Sequence, residues 1–253
     1  MIRRLIVAIM IVTALLVGFG CTGDDGPEGP AGSDGQNATP RAIRILILGS
    51  QGAVGLKAIA LGLFGDGAVN PNTTIQVFDG AAVAPELSDL TTYNVVLAYA
   101  SGSWSDADST GDALADYVDV GGKVVIAQGA MSSGGPFAIM GRFMTVGYSP
   151  FSADVDAGDA TDRIFDQATI AEPPHPVFLG VNSVTFSAPA GAQFSDPPLL
   201  GMATLIAAFT NGHNAIAINA GGTAMGLNVF PFADNAGVMR LLANAMHHLT
   251  GAF

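Results

Sequence analysis

Gly49, Gly52 and Gly55 punctuate GSQGAVG, which lies between an apolar run and an apolar helical stretch. Backbone amides at such a turn can cradle a phosphate, because a helix N-terminus leaves its first N–H groups unpaired. Ser50 and Gln51 add side-chain donors and acceptors there, and Asp79 ends the next apolar run, where a dinucleotide fold keeps an acid for ribose. The spacing is G-x-x-G-x-x-G, not G-x-G-x-x-G, and a tight turn uses the same residues. No cofactor is therefore assigned. Asp106, Asp108 and Asp112 imitate the opening of a calcium loop, but the twelfth residue from Asp106 is Tyr117, where such a loop needs an acid. Asp154, Asp156, Asp159 and Asp162 form a second acidic group. Helix capping accounts for the first group and a solvated loop for the second, so no metal site is assigned. The four histidines lack the spacing of zinc ligands, and His247 and His248 read as surface and rim of the last helix. There is no G-x-S-x-G elbow, and Ser132-Ser133 has no base beside it.

The elements that must position these residues follow from the apolar pattern. Ile43 to Leu48 is a near-continuous apolar run, the mark of a strand buried on both faces. Val54 to Phe64 reads as a helix, Thr74 to Phe78 as a second strand, Leu87 to Leu90 as a short helix and Asn94 to Ala98 as a third strand. Ser105 or Asp106 caps a helix whose inner face is Leu114, Tyr117 and Val118; Gly121-Gly122 ends it and Lys123 to Ala127 is a fourth strand. Residues 136–166 read as an acid-rich excursion with one short helix. Leu205 to Phe209, Asn214 to Asn219 and Thr223 to Val229 are three more strands, the last two joined by the tight turn at Ala220 to Gly222 as an antiparallel hairpin. Ala236 to Leu249 is an amphipathic helix with Val238, Leu241, Leu242 and Met246 inward. Alternating strands and helices predict α/β, a flavodoxin-like, doubly wound, mostly parallel sheet with a C-terminal antiparallel hairpin.

Composition narrows the partners. The 253 residues are 49% hydrophobic and 12% charged, with a mean hydropathy of +0.45, which excludes a disordered chain or a coiled coil. A formal net charge of -12 repels a phosphate backbone, so no nucleic-acid partner is expected. With one cysteine, no internal disulfide forms.

That cysteine directs the reading of the N-terminus. Arg3 and Arg4 precede Leu5 to Phe19, a run without charge, and Gly20-Cys21 follows. Fifteen residues suit a signal-peptide core better than a membrane span. Leu16-Val17-Gly18-Phe19-Gly20-Cys21 resembles the lipobox of bacterial lipoproteins, with Gly18 and Phe19 as departures from its usual pattern. The resemblance implies cleavage before Cys21 and acylation of its sulfur. Gly23, Gly26, Gly29, Gly32 and Gly35 then recur every third residue, too briefly for a triple helix, so the segment reads as a collagen-like spacer. The expected organisation is a signal peptide at 1–20, a tether at 21–40 and one α/β domain at 41–253. The expected location is the bacterial envelope, extracytoplasmic, at the outer membrane or the periplasmic face, with the membrane as partner through acylated Cys21.

RILILGSQG, GGKVVIAQGA, HPVFLGV and TAMGLNVFPFADNAGVMRLLANAMHHL occur in that order. This order resembles the class I glutamine amidotransferase-like superfamily, and within it the ThuA-like branch. The resemblance covers Arg41 to Phe253. Such amidotransferases place a nucleophilic cysteine on the elbow after the strand corresponding to Lys123 to Ala127. Here that turn reads Gln128-Gly129-Ala130-Met131, and glycine cannot attack a carbonyl. The resemblance also places His175 near the crevice, but without the acid that would make a His-x-Glu pair. In open α/β sheets ligands bind beyond the carboxyl ends of the strands. The candidate ligand-binding residues are therefore Ser50, Gln51, Asp79, Gln128, Gly129 and, by resemblance, His175, with a sugar-like small molecule as ligand. Gly129 is expected to leave room for a ligand against the backbone. The leading expectation is a non-catalytic domain for ligand binding or assembly; the alternative is a ThuA-like enzyme acting on small carbohydrates.

Overall fold

The computed structural model describes residues 41–65, 67–132, 136–153, 163–166, 175–186 and 196–253. The leader, Cys21, the tether, Ser133 and the acids Asp154, Asp156, Asp159 and Asp162 lie outside the described residues. β1 (Arg44–Gly49) is the centre of the molecule's logic. Ile45 and Ile47 point to one face, Leu46 and Leu48 to the other, and none is more than 2% exposed. A strand apolar on both faces needs cover on both sides, and the chain supplies it. α1 (Gly52–Gly65) and α4 (Ala236–Thr250) cover one face; α2 (Leu87–Leu90) and α3 (Ala107–Asp119) cover the other.

β2 (Thr74–Asp79), β3 (Val95–Tyr99) and β4 (Val124–Ala127) join β1 in a seven-stranded sheet. β7 (Thr204–Ala208), β8 (Asn214–Ile218) and β9 (Ala224–Leu227) complete it, in the order β2-β1-β3-β4-β9-β8-β7. The first five in that order are parallel, and β9, β8 and β7 are successively antiparallel. This is the flavodoxin-like α/β arrangement with its C-terminal hairpin that the sequence predicts. Asn219 fixes the hairpin turn: its Oδ1 accepts from the N–H groups of Thr223 (2.9 Å) and Ala224 (3.1 Å).

Of the two cap residues the sequence offers for α3, Asp106 is the one used. Asp106 accepts from Ser109 N (2.9 Å) and Ser109 Oγ (2.8 Å), and these bonds hold its carboxyl below the usual range. Asp108 and Asp112 of α3 accept from the N–H groups of Gly141 (3.1 Å) and Arg142 (2.8 Å), so that acidic group anchors the following loop. Asn235 caps α4, accepting from Val238 N (3.1 Å), and Gly251 closes it in the left-handed region at φ 61°. Val238, Leu241, Leu242 and Met246 are at most 1% exposed, each contributing roughly 1.5–3 kcal/mol by burial.

Two readings are corrected. His247 is not on the surface: it is fully buried, its ring edge-on to Phe253 at 5.7 Å. Periodicity gives α4 one inward face, but the Pro176–Phe178 turn and the C-terminal residues cover it from outside as well. Among its described residues, the stretch read as an excursion with one short helix has a 3-10 turn at Arg142–Met144 and also a strand. β5 (Arg163–Asp166) pairs antiparallel with β6 (Ser183–Phe186) in a separate two-stranded sheet. Four-residue strands paired across a long gap leave no local signature.

Candidate functional site

Parallel strands end together, so their register decides which loops meet. Gly49 of β1 lies opposite Asp79 of β2 and Tyr99 of β3. The chain leaves β1 towards β2 on one side and reaches β3 on the other, so the switch in strand order falls between β1 and β3. The loops there touch directly. Ser50, 2% exposed, donates its Oγ proton to Gly102 O at 2.5 Å. Ser101 Oγ donates to Gln51 Oε1 at 2.8 Å. A β-carbon on Gly102 would collide with the Ser50 carbonyl, so glycine is what allows the two loops this close.

The glycines of the first loop are explained by the same packing. A β-carbon at Gly49 would press on Leu56 and Tyr99, and one at Gly55 would strike the Gln51 side chain, which lies back over the first turn of α1. Beneath it is the Tyr99 hydroxyl. Burial raises its pKa far above the ordinary value, against a smaller opposing pull from Gln51. Asp79 flanks this centre on the β2 side. Its Oδ1 accepts from Ala81 N (3.1 Å), and its Oδ2 faces Gly52.

Gln128 and Gly129 flank it on the other side. Gln128 is 6% exposed, and its N–H donates to Val229 O at 3.1 Å. Gly129 turns the chain at φ +88°, a conformation that side chains rarely adopt. The space above it is not open. A β-carbon there would sit on the Ala100 carbonyl oxygen, so the room expected for a ligand at Gly129 is filled by the β3 loop.

His175 stands elsewhere. α4 starts beyond the carboxyl end of β9 and runs back along the sheet. Its C-terminal turn reaches the start of β1, where Arg41 N donates to Ala252 O at 2.6 Å. His175 packs edge-on against His248 of that turn, ring centres 4.4 Å apart, and its Nδ1 accepts from Val177 N (3.2 Å). Asn244 secures the same segment by donating to Val177 O (3.0 Å) and Leu179 O (2.8 Å). At about 3.3 Å per residue the length of β1 separates His175 from Ser50, so the two do not share a site. Burial, and then the neighbouring His248, lowers the His175 pKa to about 4; burial alone lowers that of His248.

The carboxyl edge thus gathers Ser50, Gln51, Asp79, Gln128, Ser101 and Tyr99. Sequence reasoning misses the last two. It takes the loops after the first, second and fourth strands, yet the switch in strand order makes the third strand's loop half of the crevice. Ala100-Ser101-Gly102-Ser103, small and polar after a buried strand, is the available signal. The arrangement offers hydroxyl, carboxamide and carboxylate groups for hydrogen bonding. Among the described residues no group of three or more His, Cys, Asp or Glu is placed to hold a metal ion.

No family model matches the chain, and no curated protein matches it. Solved structures do resemble it. A ThuA-like protein from Bacteroides uniformis aligns at 16% identity over 87% of this chain and 95% of its own, TM-score 0.49. A second, from Parabacteroides merdae, aligns at 14% over 83% and 91%, TM-score 0.49. A GMP synthase subunit from Thermoplasma acidophilum aligns at 10% over 83% and 96%, TM-score 0.52. At that identity the last likeness is one of fold alone, the mostly parallel, flavodoxin-like α/β sheet.

Proposed function

We propose that this is a lipid-anchored envelope protein whose amidotransferase-like domain binds a small polar, sugar-like ligand without chemistry. The observation that carries the reading is Gly129. The elbow of this fold presents no side chain, its backbone is pressed against the Ala100 carbonyl, and the chain's one cysteine, Cys21, lies twenty residues ahead of Arg41. A thiol-ester intermediate has no atom on which to form. The groups that remain at the carboxyl edge suit the hydroxyls of a sugar or the carboxylate of a sugar acid. Ser101 and Gln51 satisfy each other in the free protein and can exchange that bond for bonds to ligand.

The test is a thermal-shift screen of the protein against sugars and sugar acids, repeated with Asp79→Ala and Ser101→Ala. The expected result is a ligand that stabilises the wild type and loses at least part of its effect in both variants. Equal stabilisation of all three places the site elsewhere. Turnover of any sugar that depends on His175 overturns the non-catalytic reading in favour of a carbohydrate-active enzyme. Anchoring has its own test: Cys21→Ala abolishes incorporation of labelled fatty acid, and unchanged labelling contradicts it.

A further inference from the structure

The carboxyl edge holds one buried polar group that its neighbours leave unused. The Tyr99 side chain is 0% exposed, and among the described residues its hydroxyl makes no hydrogen bond. A buried donor without a partner costs free energy, so such groups are few and each needs a reason. The Tyr99 ring lies against Gly49, where a β-carbon would press on it, and meets Phe230 edge-on with ring centres 6.0 Å apart. Its hydroxyl end is close to Gln51. Gln51 is half-buried; its Oε1 accepts from Ser101 Oγ at 2.8 Å and its carboxamide lies over Gly55. Beside Tyr99 stands an aromatic pair. Phe230 and Phe232 follow β9, their rings 4.8 Å apart and tilted by 50°, and both are half-buried. Bonds from Gln128 N to Val229 O (3.1 Å) and from Asn235 N to Phe232 O (3.0 Å) hold that segment in place. The charge of this edge is also one-sided. Stretches 49–55, 79–83, 99–106, 127–132 and 228–236, at the carboxyl ends of the parallel strands, contain Asp79, Asp106 and Asp234 but no Lys, Arg or His.

We infer that Tyr99 is a ligand-binding residue, and that with Phe230 and Phe232 it selects a neutral cyclic sugar over a sugar acid. The inference rests on the sugar-like reading proposed above and deepens it. Each group matches a part of a pyranose. The tyrosine hydroxyl is a donor as well as an acceptor, and burial keeps it protonated, so it donates to a sugar oxygen. The C–H groups on one face of the pyranose carry a slight positive charge, which the negative faces of the two Phe rings attract. Gln51 and Ser101 exchange their mutual bond for bonds to the remaining hydroxyls. That exchange turns the Gln51 side chain off Tyr99, and the orphan donor gains its partner in the complex. A carboxylate has no such match. It would leave water beside Asp79, with no cation in those loops to pair with it. A tyrosine kept for its ring alone would be as well served by phenylalanine, which buries no hydroxyl.

The experiment titrates the full-length protein with glucose, galactose and mannose, and with the uronate of each, at matched ionic strength. Calorimetry reads affinity and thermal unfolding reads Tm. At least one neutral sugar is expected to bind, and its uronate about tenfold or more weakly. Tyr99→Phe should lower affinity for that sugar about tenfold, while the Tm of the free protein stays level or rises because an unpaired donor is gone. Phe232→Ala, at a half-buried position, should also weaken binding. Equal affinity in wild type and Tyr99→Phe overturns the inference and leaves Tyr99 as packing. A uronate that binds as tightly as its neutral sugar overturns it too, and leaves the sugar-like reading of the carboxyl edge standing. If none of the six binds, the inference falls, and the wider panel with Asp79→Ala and Ser101→Ala decides the reading beneath it.

Discussion

The two ends of the central sheet are built from different chemistry. At the carboxyl edge, loops from three strands are drawn together by short contacts: Ser50 to Gly102, Ser101 to Gln51, and Ala100 against Gly129. The groups there are hydroxyls, amides and one carboxylate. At the amino edge stand three histidines, His175, His247 and His248, in the C-terminal turn of α4 and the segment packed on it. His247 has no hydrogen-bond partner for either ring nitrogen. An enzyme of this architecture needs its acid, base or nucleophile where the loops after the strands converge. Here three histidines stand at the opposite end, their pKa values lowered by burial, while the carboxyl edge carries the Asp79 carboxylate and the buried Tyr99 hydroxyl. The contrast is one of chemistry: hydrogen-bonding groups converge at the carboxyl edge, and half-buried or buried imidazoles pack at the amino edge.

The contrast breaks most sharply at Gly129. Gly129→Val forces a β-branched residue to φ +88° and into the Ala100 carbonyl, so it should cost at least about 3 kcal/mol. For a domain of this size that is a fall in Tm of roughly 6–12 °C by thermal unfolding. A Tm within about 2 °C of wild type would mean the elbow is free to move and the loops are not locked.

Acid should act at the other end. His247 has its pKa lowered to about 4, first by burial and then by Arg240. The unfolded chain binds that proton near pH 6.5 and the folded one only near 4, so stability is full above pH 6.5 and is lost as the pH falls towards 4. For His247 the loss is on the order of 2–3 kcal/mol. His175 adds to it with the same sign, discounted because it is half-exposed. His247→Leu should be neutral or stabilising at pH 7 and should flatten the pH dependence in urea titrations between 4 and 6.5. An unchanged slope would show that another group carries the acid sensitivity.

The smaller effects test positioning. Asp106→Ala removes the cap of α3 and should lower the urea midpoint slightly in the same titrations; a neutral result would make the cap incidental. Removing residues 22–40 should leave the Tm within about 1–2 °C, as expected of a linker with few contacts. A larger fall, or a trimer that disappears on sizing, would make that segment structural.

The fold is readable because buried parallel strands announce themselves. Ile45 to Leu48 and Val95 to Ala98 have no polar residue to confuse with a helix, and Asp106 and Gly251 punctuate their helices as cap chemistry requires. The candidate site is half readable. Ser50, Gln51 and Asp79 follow from the ends of strands. Ser101 depends on knowing that β3 borders β1, which is a matter of strand order and not of local pattern. Gly129 is legible as the turn after a strand, but the Ala100 carbonyl filling the space beside it comes from a separate loop. His175 is misplaced by sequence because its position depends on packing against His248, far along the chain.

The central claim is that the carboxyl edge binds a small polar molecule and leaves it unchanged. Backbone amide NMR of the labelled protein, titrated with the best ligand from the thermal-shift screen, reads both halves in one tube. The account predicts shifts confined to residues 50–51, 79–81, 100–102 and 128–129, none at His175 or His248, and ligand signals constant over a day. Shifts centred on His175, or the growth of a product signal, would contradict it.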